Sequence, residues 1–310
     1  MKIKPVHADA LEKSADILVL KYADAFHGAD AVVASKLGLL DQTFQKGTHQ
    51  FFKTHGKISP TEVLFLGVGP LRNFDYSEIA KFSQHALNII SNERPQAKEI
   101  NLTVHGPGYG LDELAAIDSL VSGIRNYSLV SRDRDSFTLS IIERNERRFD
   151  KLKEFLASDS ESLSGAYTPQ KAKSISSDGK YDKRLFAAMP FKEKFLDHWE
   201  FALEPAAHSN NVVIERLDNE HFVGEILSEI RARIERASAV IALLDDNNPN
   251  VFLEVGYAWG VRKPTILALH VETLPPFDVS GHKLIRYKRL GDLRAQLEDS
   301  LAGLLINKVF

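Results

Sequence analysis

The stretch Ala239-Val240-Ile241-Ala242-Leu243-Leu244-Asp245-Asp246-Asn247-Asn248-Pro249-Asn250-Val251-Phe252-Leu253-Glu254-Val255-Gly256-Tyr257-Ala258 reads as a buried strand, a polar turn and the opening of a helix. The unbroken apolar run from Ala239 to Leu244 suits a central strand of a parallel sheet, because a strand covered on both faces has no wet side on which to alternate. Asp245 to Asn250 stops that strand. Asn250 is the expected N-cap, its side-chain oxygen accepting a free amide, and this puts Glu254 in or just after the first helical turn, where a carboxylate stays ionised. In open α/β sheets ligands bind outside the carboxyl ends of the strands, so the turn lies where a site belongs. The plain alternative for Glu254 is a helix-start carboxylate that only complements the helix dipole.

Outward from this stretch the C-terminal half alternates. Strands are expected at 185–189, 212–217, 239–244, 265–270 and 283–287, and helices at 192–207, 220–237, 251–261 and 290–305. Strands that alternate with helices require crossover connections and a parallel sheet. Ile226, Ile230 and Ile234, with Leu227 beside them, form the buried stripe of the second helix, while Glu225, Glu229, Arg231, Arg233 and Arg236 face water or one another. The N-terminal half alternates too, with strand-like runs at 16–20, 62–68, 99–105 and 136–143 and helical patterns at 76–90 and 111–124. Two glycine-bearing turns follow strands there, Gly67-Val68-Gly69-Pro70 and His105-Gly106-Pro107-Gly108-Tyr109-Gly110. Backbone at Gly67, Gly69, Gly106, Gly108 and Gly110 is the expected N-terminal ligand contact, with tight turns as the equal alternative, since neither the dinucleotide fingerprint nor a P-loop is present.

Between the halves the composition turns to serine, lysine and acid from about 158 to 183, too little apolar surface to fold alone. The expected organisation is therefore an α/β sensing or regulatory domain at 1–157, a linker at 158–183, and a second α/β domain at 184–310, each a mainly parallel sheet flanked by helices. At 310 residues, 44% hydrophobic and 26% charged, the chain is long for one core. A net charge of -3 argues against a duplex-DNA partner that relies on a broad basic surface. No cysteine is present, which excludes disulfides, thiol nucleophiles and cysteine metal sites. The 11 histidines are scattered without a metal-binding helix pair, so no metal is expected, and no serine-hydrolase elbow or kinase signature occurs. Neither a signal peptide nor an apolar membrane span is read, and the expected location is the cytoplasm.

A resemblance sharpens this. From Arg184 to Leu305 the chain resembles the Toll/interleukin-receptor-like (TIR-like) and nucleoside 2-deoxyribosyltransferase-like group of nucleotide-cleaving domains. The segments that carry it are Phe186 to Phe191, Gly224-Glu225-Ile226-Leu227, Asn248 to Ala258, Lys263 to Leu267, and Pro276-Phe277-Asp278-Val279. It implies a flavodoxin-like fold and an N-glycosidase with Glu254 as the catalytic carboxylate. When a base such as nicotinamide leaves a sugar, positive charge develops there, and a fixed carboxylate stabilises or covalently captures it. NAD is the substrate implied, as substrate rather than cofactor, so no cofactor is expected. Substrate contacts are expected at Met189, Pro190, Phe191, Asp245, Asn248, Asn250, Tyr257 and Asp278, the plain alternatives being a strand-ending X-Pro bend for Met189 to Phe191, core packing for Tyr257 and a turn for Asp278; Trp259 is assigned to packing, and Asp218 and His221 to a solvated loop. The transferases often carry an aspartate where this chain has Asn248, which weakens the case for deoxyribosyl transfer.

The N-terminal half is similar to the macro-like N-terminal domain of leucyl aminopeptidases, through Gly67-Val68-Gly69 and Ala115 to Gly123. This implies a nucleotide-like ligand for a sensing domain. The partners implied are thus small-molecule nucleotides and further copies of the chain, with a role in bacterial antiphage or stress signalling. Two other readings stay open: a non-catalytic nucleotide-binding or self-assembling module, and a deoxyribosyltransferase or nucleotide hydrolase.

Overall fold

A computed structural model describes residues 1–130, 137–162, 183–217 and 226–306. Most of the expected linker, Asp218, His221, Gly224 and Glu225 lie outside the described residues. The chain forms two compact units, one of Met1–Gly108 with Glu113–Asp178, the other of Tyr109–Asp112 with Gly179–Phe310.

The first unit holds β1 (Lys2–His7), β2 (Ile17–Tyr22), α1 (Ala29–Leu37), β3 (His49–Lys53), β4 (Glu62–Gly67), α2 (Tyr76–Glu93), β5 (Glu99–Thr103), α3 (Glu113–Val130), β6 (Thr138–Glu143) and α4 (Glu146–Ser162). Its six-stranded sheet runs β1-β6-β5-β2-β4-β3, and only the edge strand β3 is antiparallel, against β4. The central strand β2 is buried along its whole length, as its apolar run requires. Asp75 caps α2 by accepting amides from Ser77 and Glu78. The helix turns Ile79, Phe82, Ala86, Leu87 and Ile90 inward and meets α3 across Gly123, where a Cβ would come to 2.0 Å from the Ala80 carbonyl oxygen.

The second unit holds β7 (Arg184–Ala188), a helical run α5 made of Leu196–His198, a π turn Trp199–Leu203 and Glu204–Ser209, then β8 (Val213–Glu215), α6 (Ile226–Arg236), β9 (Ala239–Leu243), α7 (Pro249–Gly260), β10 (Thr265–His270), α8 (Phe277–Ser280), β11 (Leu284–Tyr287) and α9 (Leu290–Ile306). All five strands are parallel in the order β11-β10-β9-β7-β8, a flavodoxin-like order. Along β9, Ala239, Ile241 and Leu243 enter one core, with Trp199, Leu203 and Leu297. Val240 and Ala242, with Leu244 beyond the strand, enter the other, with Val251, Val255 and Val279. That double burial accounts for the continuous apolar run.

Both units are thus mainly parallel α/β sheets flanked by helices, as the alternation predicts. Two local expectations are corrected. The helix of 192–207 is a composite run with a π turn at its middle. On α6, Leu227, expected in the buried stripe, is 46% exposed, whereas Glu229 and Arg233 face each other, the second of the two expected arrangements, and are each only 5% exposed. Arg233 pairs with Glu229 at 2.9 Å and with Glu215 at 3.2 Å, and donates to the carbonyls of Tyr109 and Gly110. A buried guanidinium needs acceptors of this kind for each of its donors.

Candidate functional site

In the second unit the chain leaves β7 towards β8 on one side and leaves β9 towards β10 on the other. The loops after β7 and β9 therefore diverge, and the crevice between them is the topological switch point where open α/β sheets bind ligands. Met189 and Pro190 lie buried on the β7 side and Phe191 stands 40% exposed. Lys192 and Lys194, next along, reach Asp246 on the β9 side at 2.9 and 2.6 Å. Their hydrogen bonds hold the exposed Asp246 carboxyl below its usual range, Lys194 contributing most.

Asn248, not Asn250, caps α7, its side chain accepting the Asn250 amide. Pro249, which has no amide to satisfy, takes the first helical position. The cap two residues earlier moves Glu254 into the second turn, beyond the reach of the helix-start field. There it shares the buried side of α7 with Val251, Val255 and Ala258 and is 7% exposed. Burial pushes its carboxyl from 4.5 to about 8, and among the described residues no cation opposes the shift. The expectation of a readily ionised Glu254 is therefore corrected: at neutral pH the resting group is mostly protonated.

The other expected contacts divide. Asp245 is buried, its two oxygens accepting the His270 amide at 3.0 Å and the Tyr287 hydroxyl at 2.8 Å. It thereby ties the ends of β10 and β11 to β9, and burial together with the Asp245 charge pushes the Tyr287 hydroxyl up. Tyr257 turns to α6, its hydroxyl donating to Glu235 and its ring lying under Arg231. Trp259 packs as expected and stacks on His282 at 4.3 Å. Asp278 is exposed in the first turn of α8.

Away from the crevice, Asp112, Glu204 and His208 bring ligand-type atoms within 4.8 Å of one another. His208 and Asp112 pair directly at 2.7 Å, and Asp112 also accepts the Ile214 amide. Scattered sequence positions concealed this grouping, since Asp112 is remote in the chain from the Glu204/His208 helical pair.

The first unit has its own switch point, between β2 and β5. Lys21 ends the apolar run of β2 and pairs at 2.5 Å with Asp30 in the first turn of α1, both nearly inaccessible to solvent. Burial pushes Asp30 up, opposed by Lys21, while burial and then Lys21 hold His105 well below its usual value and so neutral. Gly106, directly after His105, has φ +117°, a conformation that strains side-chain-bearing residues. The sequence signal for this pair is a lysine set directly after the four apolar residues Ile17 to Leu20. Gly67 borders a separate cavity of about 380 Å3 with Lys46, Lys81, His85 and Phe82. A Cβ at Gly67 would come to 2.1 Å from the Gln45 carbonyl oxygen, so close backbone approach is enough to require this glycine. At Gly69, with φ +75°, the backbone conformation is the requirement, while Gly108 has open space around it. Gly110 belongs to the second unit, where a Cβ would meet the Arg216 carbonyl oxygen at 1.9 Å.

No family model and no curated protein matches the chain. Among solved structures it is similar to an Oceanobacillus iheyensis macrodomain with ADP, at 13% identity over 52% of this chain and 92% of that one, with a TM-score of 0.43. It is also similar to Trypanosoma brucei macrodomains: one in complex with ADP, at 15% identity over 49% and 68% of the two chains, TM-score 0.42, and one in complex with ADP-ribose, at 15% identity over 50% and 68%, TM-score 0.41.

Proposed function

We propose that the second unit is a nucleotide N-glycosidase, NAD being its foremost substrate, with Glu254 as the group that acts on the glycosidic bond. The observation that carries this is a nine-tenths buried carboxyl with no countercharge among the described residues, on the helix that rises from the switch-point turn. The carbon–nitrogen bond breaks with its electron pair going to the departing base, and the sugar becomes oxocarbenium-like. A Glu254 carboxylate opposite that centre stabilises it or forms an ester that water then cleaves. For a cationic base such as nicotinamide the substrate's own charge favours ionised Glu254 on binding, because an opposite charge stabilises the carboxylate. For a neutral base the protonated form supplies the leaving group's proton.

The first unit is the sensing partner in this reading. Its support is the buried Lys21–Asp30 pair, neutral His105 and Gly106 gathered at a second switch point, a setting suited to a nucleotide-like ligand. A role in stress or antiphage signalling follows from the family resemblance alone.

The test is a mass-spectrometric time course of wild type and Glu254→Gln with NAD and a panel of nucleosides and nucleotides, at low and high protein concentration. Base release by the wild type, reduced roughly a thousandfold in the variant, is the expected outcome. Equal release by both would remove Glu254 from the chemistry. Binding without any release would leave a non-catalytic nucleotide module.

A further inference from the structure

Strand β8 ends the second unit's sheet and pairs with β7 on one side only, so its outward amides need partners from elsewhere. The Asp112 carboxylate supplies one by accepting the Ile214 amide through Oδ2. The same oxygen lies 2.7 Å from His208 Nε2. Glu204 stands one helical turn before His208 on α5, at the spacing of four that puts both side chains on one face. Ligand-type atoms of all three residues lie within 4.8 Å of one another. The Asp112 side chain is wholly inaccessible to solvent, Glu204 is 5% exposed, and the His208 side chain is 27% exposed. Two buried carboxylates and one imidazole thus form a compact cluster that water reaches at His208.

The backbone around the cluster is fixed. Gly110 leaves no room for a side chain beside Arg216. Directly before the Glu204/His208 pair, the Glu204 amide donates to the Trp199 carbonyl, closing the π turn, a feature that recurs at functional sites. Residues of α5 pack in one core and those of α7 in the other, on opposite faces of the sheet, so the cluster is separate from Glu254 and owes nothing to the N-glycosidase reading.

Carboxylates alone suit Mg2+, Ca2+ and Mn2+, whereas an imidazole shifts the preference towards Zn2+ and its neighbours. A zinc ion bound at about 2.0–2.2 Å holds its ligand atoms roughly 3–4 Å apart. Atoms already within 4.8 Å of one another reach that spacing by small side-chain rotations. Three protein ligands with a water in the fourth position is a recurrent zinc arrangement.

We propose that Asp112, Glu204 and His208 form a binding site for one divalent transition-metal ion, Zn2+ foremost, which fastens the segment Tyr109–Asp112 to α5. On binding, His208 Nε2 gives its lone pair to the ion. The Nε2 proton leaves to solvent from an imidazolium, or moves to Nδ1 in a neutral ring.

The test strips the full-length chain with a chelator and titrates it with Zn2+ alone by isothermal calorimetry, with Co2+ as an optical probe of ligation. The expected result is a single Zn2+ per chain, visible Co2+ absorption bands, and a second-unit melting transition raised by several degrees at about hundredfold excess of Zn2+ over Kd. Asp112→Asn keeps an oxygen for the Ile214 amide, and Glu204→Gln and His208→Gln keep the side-chain length or polarity. Each weakens Zn2+ binding by at least the roughly 10–100-fold that follows loss of an outer-shell partner, and His208→Gln abolishes the Co2+ bands. His208 is the least buried of the three positions, so its variant carries the decision if the others fail to fold. No Zn2+ uptake by the wild type overturns the proposal and leaves the trio an ion pair only. Uptake that His208→Gln retains at full affinity also overturns it, placing the ion on histidines elsewhere. Equal binding of Ca2+ and Zn2+, indifferent to His208→Gln, overturns it as well, since the imidazole would then not be a ligand.

Discussion

Glu254 owes its state to the face of its helix on which it lies. A cap at Asn248 carries it into the second turn, among Val251, Val255 and Ala258, where desolvation is uncompensated. The consequence for stability has a definite sign. Unfolded, the group releases its proton near 4.5; folded, near 8. The folded state's advantage is whole below pH 4.5 and is lost as pH rises towards 8, because the unfolded chain can ionise Glu254 freely while the folded one resists. Glu254→Gln removes that penalty. The variant is expected to gain a few kcal/mol at pH 8 relative to wild type and little at pH 4, read as the pH dependence of the Tm difference between the two proteins. A Tm difference independent of pH would show that Glu254 is solvated or paired. The position of Glu254 was legible, because a strand, a polar turn and a helix start are local patterns. Its protonation was not, since it depends on burial against residues from other elements of the fold. The latch formed by Asp245 was likewise hidden, its partners His270 and Tyr287 lying on two later strands.

At the scale of elements, legibility followed burial. The strands with continuous apolar runs, β2, β4 and β9, stand close to their expected positions, as do β5 and β6, which are buried although Asn101 and Ser140 interrupt their apolar residues. β1 and β3 are edge strands with half-covered or exposed faces, and β1 carries Pro5. A proline is tolerated at a sheet edge and reads as a strand breaker in sequence, so the pattern that betrays central strands was missing there. Helix contacts hide in the same way, because a glycine within a helical pattern does not announce its neighbour. Gly123 on α3 is the clearest instance: a Cβ there would lie 2.0 Å from the Ala80 carbonyl oxygen and 2.1 Å from the Ser83 hydroxyl, which itself donates to the Leu120 carbonyl. Gly123→Ala must part α2 from α3 or break that bond. Such overpacking costs about 1–3 kcal/mol or more, enough to lower the first unit's Tm by several degrees, whereas Gly303→Ala on α9, with open space around its added methyl, should leave the second unit's Tm unchanged or raise it, since alanine favours a helix over glycine. A first-unit Tm unchanged in Gly123→Ala would mean that the helices tolerate a wider spacing.

At the scale of the whole molecule, the sequence suggests two successive domains, yet the second unit is not continuous in the chain. Tyr109–Asp112 belongs to it, although β5 before and α3 after belong to the first. Composition marks the serine-rich linker because linkers differ in what they contain; nothing in composition marks four residues that change allegiance. Their role is physical. The carbonyls of Tyr109 and Gly110 accept from the buried Arg233, and the Asp112 carboxylate accepts from His208 and from the Ile214 amide. Gly110 is held at φ +89° with no room for a side chain beside Arg216. A fragment of residues 183–310 loses all of these acceptors at once. It keeps Glu215 and Glu229 for Arg233, but the guanidinium's remaining donors and the Ile214 amide end up short of partners, at about 1–3 kcal/mol for each buried group left unsatisfied. The fragment should therefore melt well below the full-length chain's second unit, or fail to fold, and Gly110→Ala in the full-length chain should shift that unit's transition in the same direction. Differential scanning calorimetry of the three proteins decides the matter. A fragment that melts with the same Tm and enthalpy as the unit does in the full chain would show that Tyr109–Asp112 only rests on a core that is complete without it.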